Sequence, residues 1–210
     1  MANRYWVASS AGTWNDTVNW STASGGSSGA SVPGSSDTAI FDGNGIGKCT
    51  LDINVTVDYL DLTSGYTGAG ADDGHFDCDG FDVTITSSSH VGFQNKTVTF
   101  SDGTTTVWTF GQGFNGRSSA ATFANLTTCT WRFTGSGTFD GKSVPNKVLI
   151  ENGANVLSYW GFAASNIELS GRLQAKYNSP SIAIQSGTHE LRINSTGVLE
   201  FLGSNGVLRT

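Results

Sequence analysis

NKVLIENGANVL, residues 146–157, places alternating aliphatic residues before an Asn-Gly turn and a second alternating run directly after it. Side chains of an extended chain point to opposite sides in turn, so Val148 and Ile150 share one face and Val156 begins another. ASNIELSGRLQA at 164–175 and THELRINSTGVLEFLGSNG at 188–206 have the same texture of short strand, Asn/Ser/Gly turn and short strand. None repeats another letter for letter. A degenerate unit of this kind fits the coils of a parallel β-solenoid, where one turn cannot bury its apolar face alone and stacking on neighbours completes the core. An antiparallel β-sandwich or jelly roll has similar strand spacing and is the alternative.

Working outward, the same period of two runs through most of the chain. Leu51, Ile53, Val55 and Val57 alternate with Asp52, Asn54 and Thr56, predicting a strand over 49–62. Further strands are predicted over 81–86, 97–100, 105–110, 121–123, 128–134, 147–150, 166–169, 181–185, 190–193 and 197–201. Glycine, at 28 of 210 residues, is about twice as frequent as the roughly 7% of ordinary proteins, so turns are frequent. Only four glutamates and one methionine occur, and no window sustains an amphipathic helix. The expected class is therefore all-β, with residues 46–210 forming the solenoid-like domain.

Residues 1–45 read differently. Tyr5, Trp6, Trp14, Trp20 and Phe41 surround SGGSSGASVPGSS, a run that cannot bury itself and is expected to loop out while the aromatics fold back on an apolar surface. Solenoid ends resemble open sheet edges and need covering, which makes this segment the expected cap, with Pro33 inside it. No second cap is evident, so a partner subunit, most simply in a homotrimer, is expected at the other end.

Charge limits the partners. Residues 1–105 carry twelve Asp against Arg4, Lys48 and Lys96, whereas the remainder sums to +3, for a total of −6. With this sign and no basic stripe, nucleic acid is excluded as a partner. No run of about 18 apolar residues exists to span a membrane. MANRYWVASS has no apolar leader core, so a protein made in the cytosol and not exported is expected.

Candidate chemistry is sparse. Asp72, Asp73, Asp77 and Asp79 cluster near His75 and form a weak calcium candidate, lacking both the EF-hand order and the tandem nonapeptide of calcium β-rolls. The bland reading is an acidic turn. Cys49, Cys78 and Cys129 form no CxxC pair and are expected as small core residues, and three isolated histidines make no zinc set. No GxSxG elbow is present, and Asp58 with Asp61, or Asp77 with Asp79, are carboxylate pairs that glycoside chemistry could use. No catalytic residue, metal or cofactor is therefore assigned, and the chain is not expected to be an enzyme. Trp108, Trp131 and Trp160 are either core aromatics or a sugar-stacking row.

The segment YWVASSAGTWNDTVNWSTASGGSSGASVPGSSDTAIFDG resembles one that opens bacterial autotransporter-type and phage-encoded β-helical proteins. Its carriers are Trp6, Trp14, Asn19, Trp20, Val32, Pro33, Asp37, Ala39, Phe41 and Asp42, about the first fifth of the chain. The resemblance implies a β-helix beneath the segment and no particular activity. With neither leader nor membrane barrel, the chain looks more like a phage virion component: a capsid decoration or cement protein, or a fibre or spike piece. Capsid or tail proteins are then the partners. A glycan-binding or polysaccharide-degrading surface module is the alternative.

Overall fold

A computed structural model of the chain describes residues 1–62, 65–66, 74–87, 90–93, 97–99, 105–115, 122–124, 126–140, 145–158, 162–176, 181–184, 190–202 and 207–209. The fold is all-β. Helix among the described residues is confined to two 3-10 turns, Thr17–Asn19 and Leu126–Thr128. The first is capped by the Asp16 carboxylate, which accepts the Val18 N–H at 3.1 Å.

The strands are short because each spans one side of a circuit. The predicted strand over 49–62 is three: Cys49–Thr50, Val55–Val57 and Tyr59–Leu62. It breaks where the chain turns corners, with Asp52 accepting the Asn15 N–H and Asp58 N–H donating to the Asp37 carbonyl. Cys49–Thr50 joins a five-stranded sheet, Val55–Val57 a seven-stranded sheet and Tyr59–Leu62 a ten-stranded sheet. The same rotation recurs: Tyr59–Leu62, His75–Asp77 and Val83–Ile85 visit the three sheets in turn, and His90–Phe93 returns to the first. Farther along, Phe162–Ala164, Ser181–Ile184 and Val207–Arg209 form a separate three-stranded sheet.

Pairing is parallel throughout the described residues except for Asn3–Trp6 with Trp20–Ser21. That corrects the antiparallel sandwich alternative. Hairpins would pair neighbours in sequence, whereas here Ile40 pairs Asp61 and Val148 pairs Ile167, each roughly 20 residues on.

Register turns the period of two into continuous apolar columns. On the seven-stranded sheet, Val55, Val83, Trp108, Trp131, Val148, Ile167 and Leu191 align across successive strands. Val57, Ile85, Phe110, Phe133, Ile150, Leu169 and Ile193 form a second column beside it. Most of these side chains are fully buried, and exposure rises only in the last strands, where Ile193 is 48% exposed. The residues between, such as Thr56, Thr84, Thr109 and Arg132, face outward.

Glycine is needed where corners of successive circuits touch. A Cβ on Gly43, whose φ is +94°, would lie 2.0 Å from the Gly65 carbonyl oxygen, and one on Gly135 would lie 1.8 Å from that of Gly111.

Candidate functional site

The N-terminal aromatics assemble around one point. Trp6 stacks on Phe41 at 5.5 Å between ring centres, and Trp20 meets Trp6 edge-on at 5.2 Å and Trp14 at 4.8 Å. All four are buried, and Trp6 Nε1 donates to the Gly47 carbonyl at 2.9 Å and Trp20 Nε1 to that of Trp14 at 2.8 Å. Phe76 continues the cluster toward the rest of the core, 5.7 Å from Phe41 and 6.1 Å from Trp108. The Tyr66 hydroxyl accepts the Cys49 N–H at 3.2 Å and lies 2.5 Å from the His75 carbonyl and 3.0 Å from that of Gly47. It ties the starts of two strands, Cys49–Thr50 and His75–Asp77, together. Tyr5, by contrast, is on the outer face of its strand and half-buried, and Pro33 is buried in the loop.

Each remaining carrier of the opening segment has a local task. Asn19 is buried and its amide donates to the Thr13 carbonyl at 2.9 Å. Asp37 accepts the N–H groups of Ala2 and Gly34 at 2.9 and 3.1 Å. The Gly34 bond, with that of Ala2 and the Arg4 charge, holds its carboxyl below the ordinary range. Asp42 accepts the Ser24 hydroxyl at 2.5 Å and the Asn44 N–H at 3.1 Å. The Gly/Ser run is thus exposed along much of its length and yet anchored. Ala30 N–H donates to the Trp20 carbonyl, and the Arg4 guanidinium holds Ser31. Ala30 thereby occupies part of the outer edge of Trp20–Ser21, the outermost strand of the ten-stranded sheet.

Trp108 and Trp131 are 1% exposed, so neither ring has a face for a sugar, which corrects that reading for both. Trp160 lies outside the described residues. The Trp108 side chain lies near the Cys78 thiol and that of Trp131 near Cys129 inside the core. Burial pushes Cys49, Cys78 and Cys129 well above the ordinary thiol range, as suits inert core residues.

Of the calcium candidates, Asp72 and Asp73 lie outside the described residues. Asp77 is held by Lys48 Nζ at 2.8 Å and accepts the Asp79 N–H at 3.1 Å. Asp79 sits in a turn at φ +42°, so the two carboxylates do not flank a common strand face. Among the described residues, no group of three His, Cys, Asp or Glu side chains converges as a metal set. Asp58 precedes the strand Tyr59–Leu62, and Asp61 lies within it facing outward. Burial, and then the Asp42 carboxylate, pushes Asp61 above the ordinary aspartate range.

The structure also assembles a groove absent from the residue-by-residue reading. Lys147, Asn166, Ile167, Glu168, Glu190 and Arg192 line a groove of about 260 Å³ on the outer face of the seven-stranded sheet. Lys147 Nζ is 3.0 Å from Glu168, Arg192 is 3.3 Å from Glu190, and Asn166 Oδ1 accepts the Glu190 N–H at 3.2 Å. Lys147, with Asn194, holds the Glu168 carboxyl below its ordinary range. The signal was the outward position between the aliphatics of each repeat unit: Leu149, Glu168 and Arg192 align once the register is known.

No protein-family model, curated protein or solved structure matches this chain.

Among the described residues, no helix is long and apolar enough to cross a membrane.

Proposed function

We propose that this chain is a non-enzymatic structural module of a phage particle, a capsid decoration or cement protein or a fibre or spike component, acting by protein–protein binding and self-assembly. We further infer that its parallel sheets wind as one β-solenoid, since the chain returns after each circuit one strand farther along. The observation that carries a binding role is the apolar surface on the far strands. Ile193, which continues the otherwise buried column of Ile150 and Leu169, is 48% exposed on the outermost strand of the seven-stranded sheet. Val198 and Leu202, at outward positions in register with Arg172 and Lys176, are 40% and 37% exposed on the outermost strand of the ten-stranded sheet. At the opposite end of the ten-stranded sheet, Ala30 occupies part of the outer edge of Trp20–Ser21. An apolar surface of this kind suits a module that docks on a larger assembly of capsid or tail proteins.

Mass spectrometry of purified particles of the source phage tests the placement: the chain is expected at a fixed copy number, and its absence contradicts the proposal. Sedimentation velocity tests the self-assembly, with three times the 22.0 kDa chain mass expected for a homotrimer. A monomer at all concentrations contradicts that part.

The groove supports a second reading, glycan binding, because paired charges and an Asn amide present fixed donors and acceptors to hydroxyl groups. Binding on a glycan array that is lost in Asn166→Ala at unchanged melting temperature favours it. No binding by the native chain removes it.

A further inference from the structure

We infer that the Asn152–Gly153 turn is a site of spontaneous covalent modification, at which Asn152 deamidates and a fraction of the chain acquires a β-linked aspartyl residue. The turn lies between the strands Lys147–Ile150 and Asn155–Ser158 and is closed by the Ala154 N–H donating to the Glu151 carbonyl at 3.0 Å. Both Asn152 and Gly153 are exposed. Neither the Asn152 side chain nor the Gly153 N–H has a hydrogen-bond partner among the described residues. A Cβ built on Gly153 would find no atom within 4 Å, so the space beside its Cα is open.

The reaction needs only water and hydroxide. Hydroxide removes the Gly153 amide proton, the nitrogen attacks Cγ of Asn152, the bond from Cγ to the side-chain nitrogen breaks, and ammonia leaves. The product is a five-membered cyclic imide. One water then opens either of its carbonyls and gives aspartate or the β-linked isomer, so the net change is Asn plus water to Asp plus ammonia. A second Asn-Gly pair shows what prevents this. Asn44 donates to Ser24 Oγ at 2.8 Å and its backbone N–H to Asp42 at 3.1 Å. Gly45 is buried against the backbone that follows the first strand, where a Cβ would lie 2.6 Å from Val7. Asn115–Gly116 and Asn205–Gly206 extend outside the described residues. Modification at Asn152 sets a new carboxylate beside Glu151, which faces Arg132 at 3.4 Å, and the β-linked form lengthens a corner of the circuit by one backbone atom.

The full chain, held at 37 °C and mildly alkaline pH and sampled over days, tests this by peptide mapping for a gain of about 1 Da per event. In the folded chain Asn152 is expected to convert at least about tenfold faster than Asn44, and in urea the two rates are expected to converge. Asn152→Gln, which keeps Gly153 and the turn, is expected to abolish the new acidic species at this peptide. Conversion of Asn152 no faster than that of Asn44 in the folded chain would overturn the inference.

Discussion

Trp131 lies between Phe110, 6.1 Å away, and Phe139, 5.6 Å away, in a column that runs from one circuit to the next. Removing a ring of this size from a site that neighbours cannot refill costs about 3–5 kcal/mol. Trp131→Ala is therefore expected to lower the urea midpoint steeply, while Thr56→Ala, on the outer face of the same sheet, stays within about 0.5 kcal/mol. Asp61 makes the opposite case. Its carboxyl is raised by burial and then by Asp42, so the folded state holds a proton more readily than the unfolded one and stability falls as pH rises through that range. Asp61→Asn is expected to raise the melting temperature at pH 7, by an amount equivalent to at most about 1 kcal/mol. The gain is expected to vanish below the ordinary aspartate value of 3.8, where both chains are neutral at this position. A stabilisation independent of pH would refute the electrostatic cause.

At the scale of the element, a strand is only as long as one side of the circuit, and corners decide where it stops. Gly135 sits at such a corner against the Gly111 carbonyl. Gly135→Ala forces backbone against backbone and is expected to cost about 1–3 kcal/mol in denaturant unfolding, although the site lies outside the apolar columns. Corners also explain what the sequence shows and hides. Runs such as Lys147–Ile150 and Asn166–Leu169 are legible with the bounds observed, because two buried aliphatics per strand suffice to mark them. Strands such as His75–Asp77 and Gly137–Asp140 are not, because each offers one clear apolar residue between polar or glycine neighbours, and parallel partners supply the rest. The aromatic cluster could be anticipated from composition. The groove of Lys147, Glu168 and Arg192 could not, since it exists only after the register brings distant segments together.

On the scale of the whole molecule, one principle carries the account: each segment buries its apolar side only by lying on the segment roughly one circuit earlier. Sequence separation then says little about distance, and position along the column says nearly everything. Thr56, Thr84, Thr109, Arg132, Leu149, Glu168 and Arg192 occupy successive rungs on the outer face of the seven-stranded sheet. Neighbouring strands lie about 4.8 Å apart, so the separation from Thr56 is expected to be about 19 Å at Leu149, about 24 Å at Glu168 and about 29 Å at Arg192. Pulsed electron spin resonance between a label at Thr56 and one at each of these positions, in a chain with its three native cysteines replaced by alanine, measures the ladder directly. Distances that climb by one strand spacing per rung are predicted, and distances that fail to climb in that order would contradict parallel stacking.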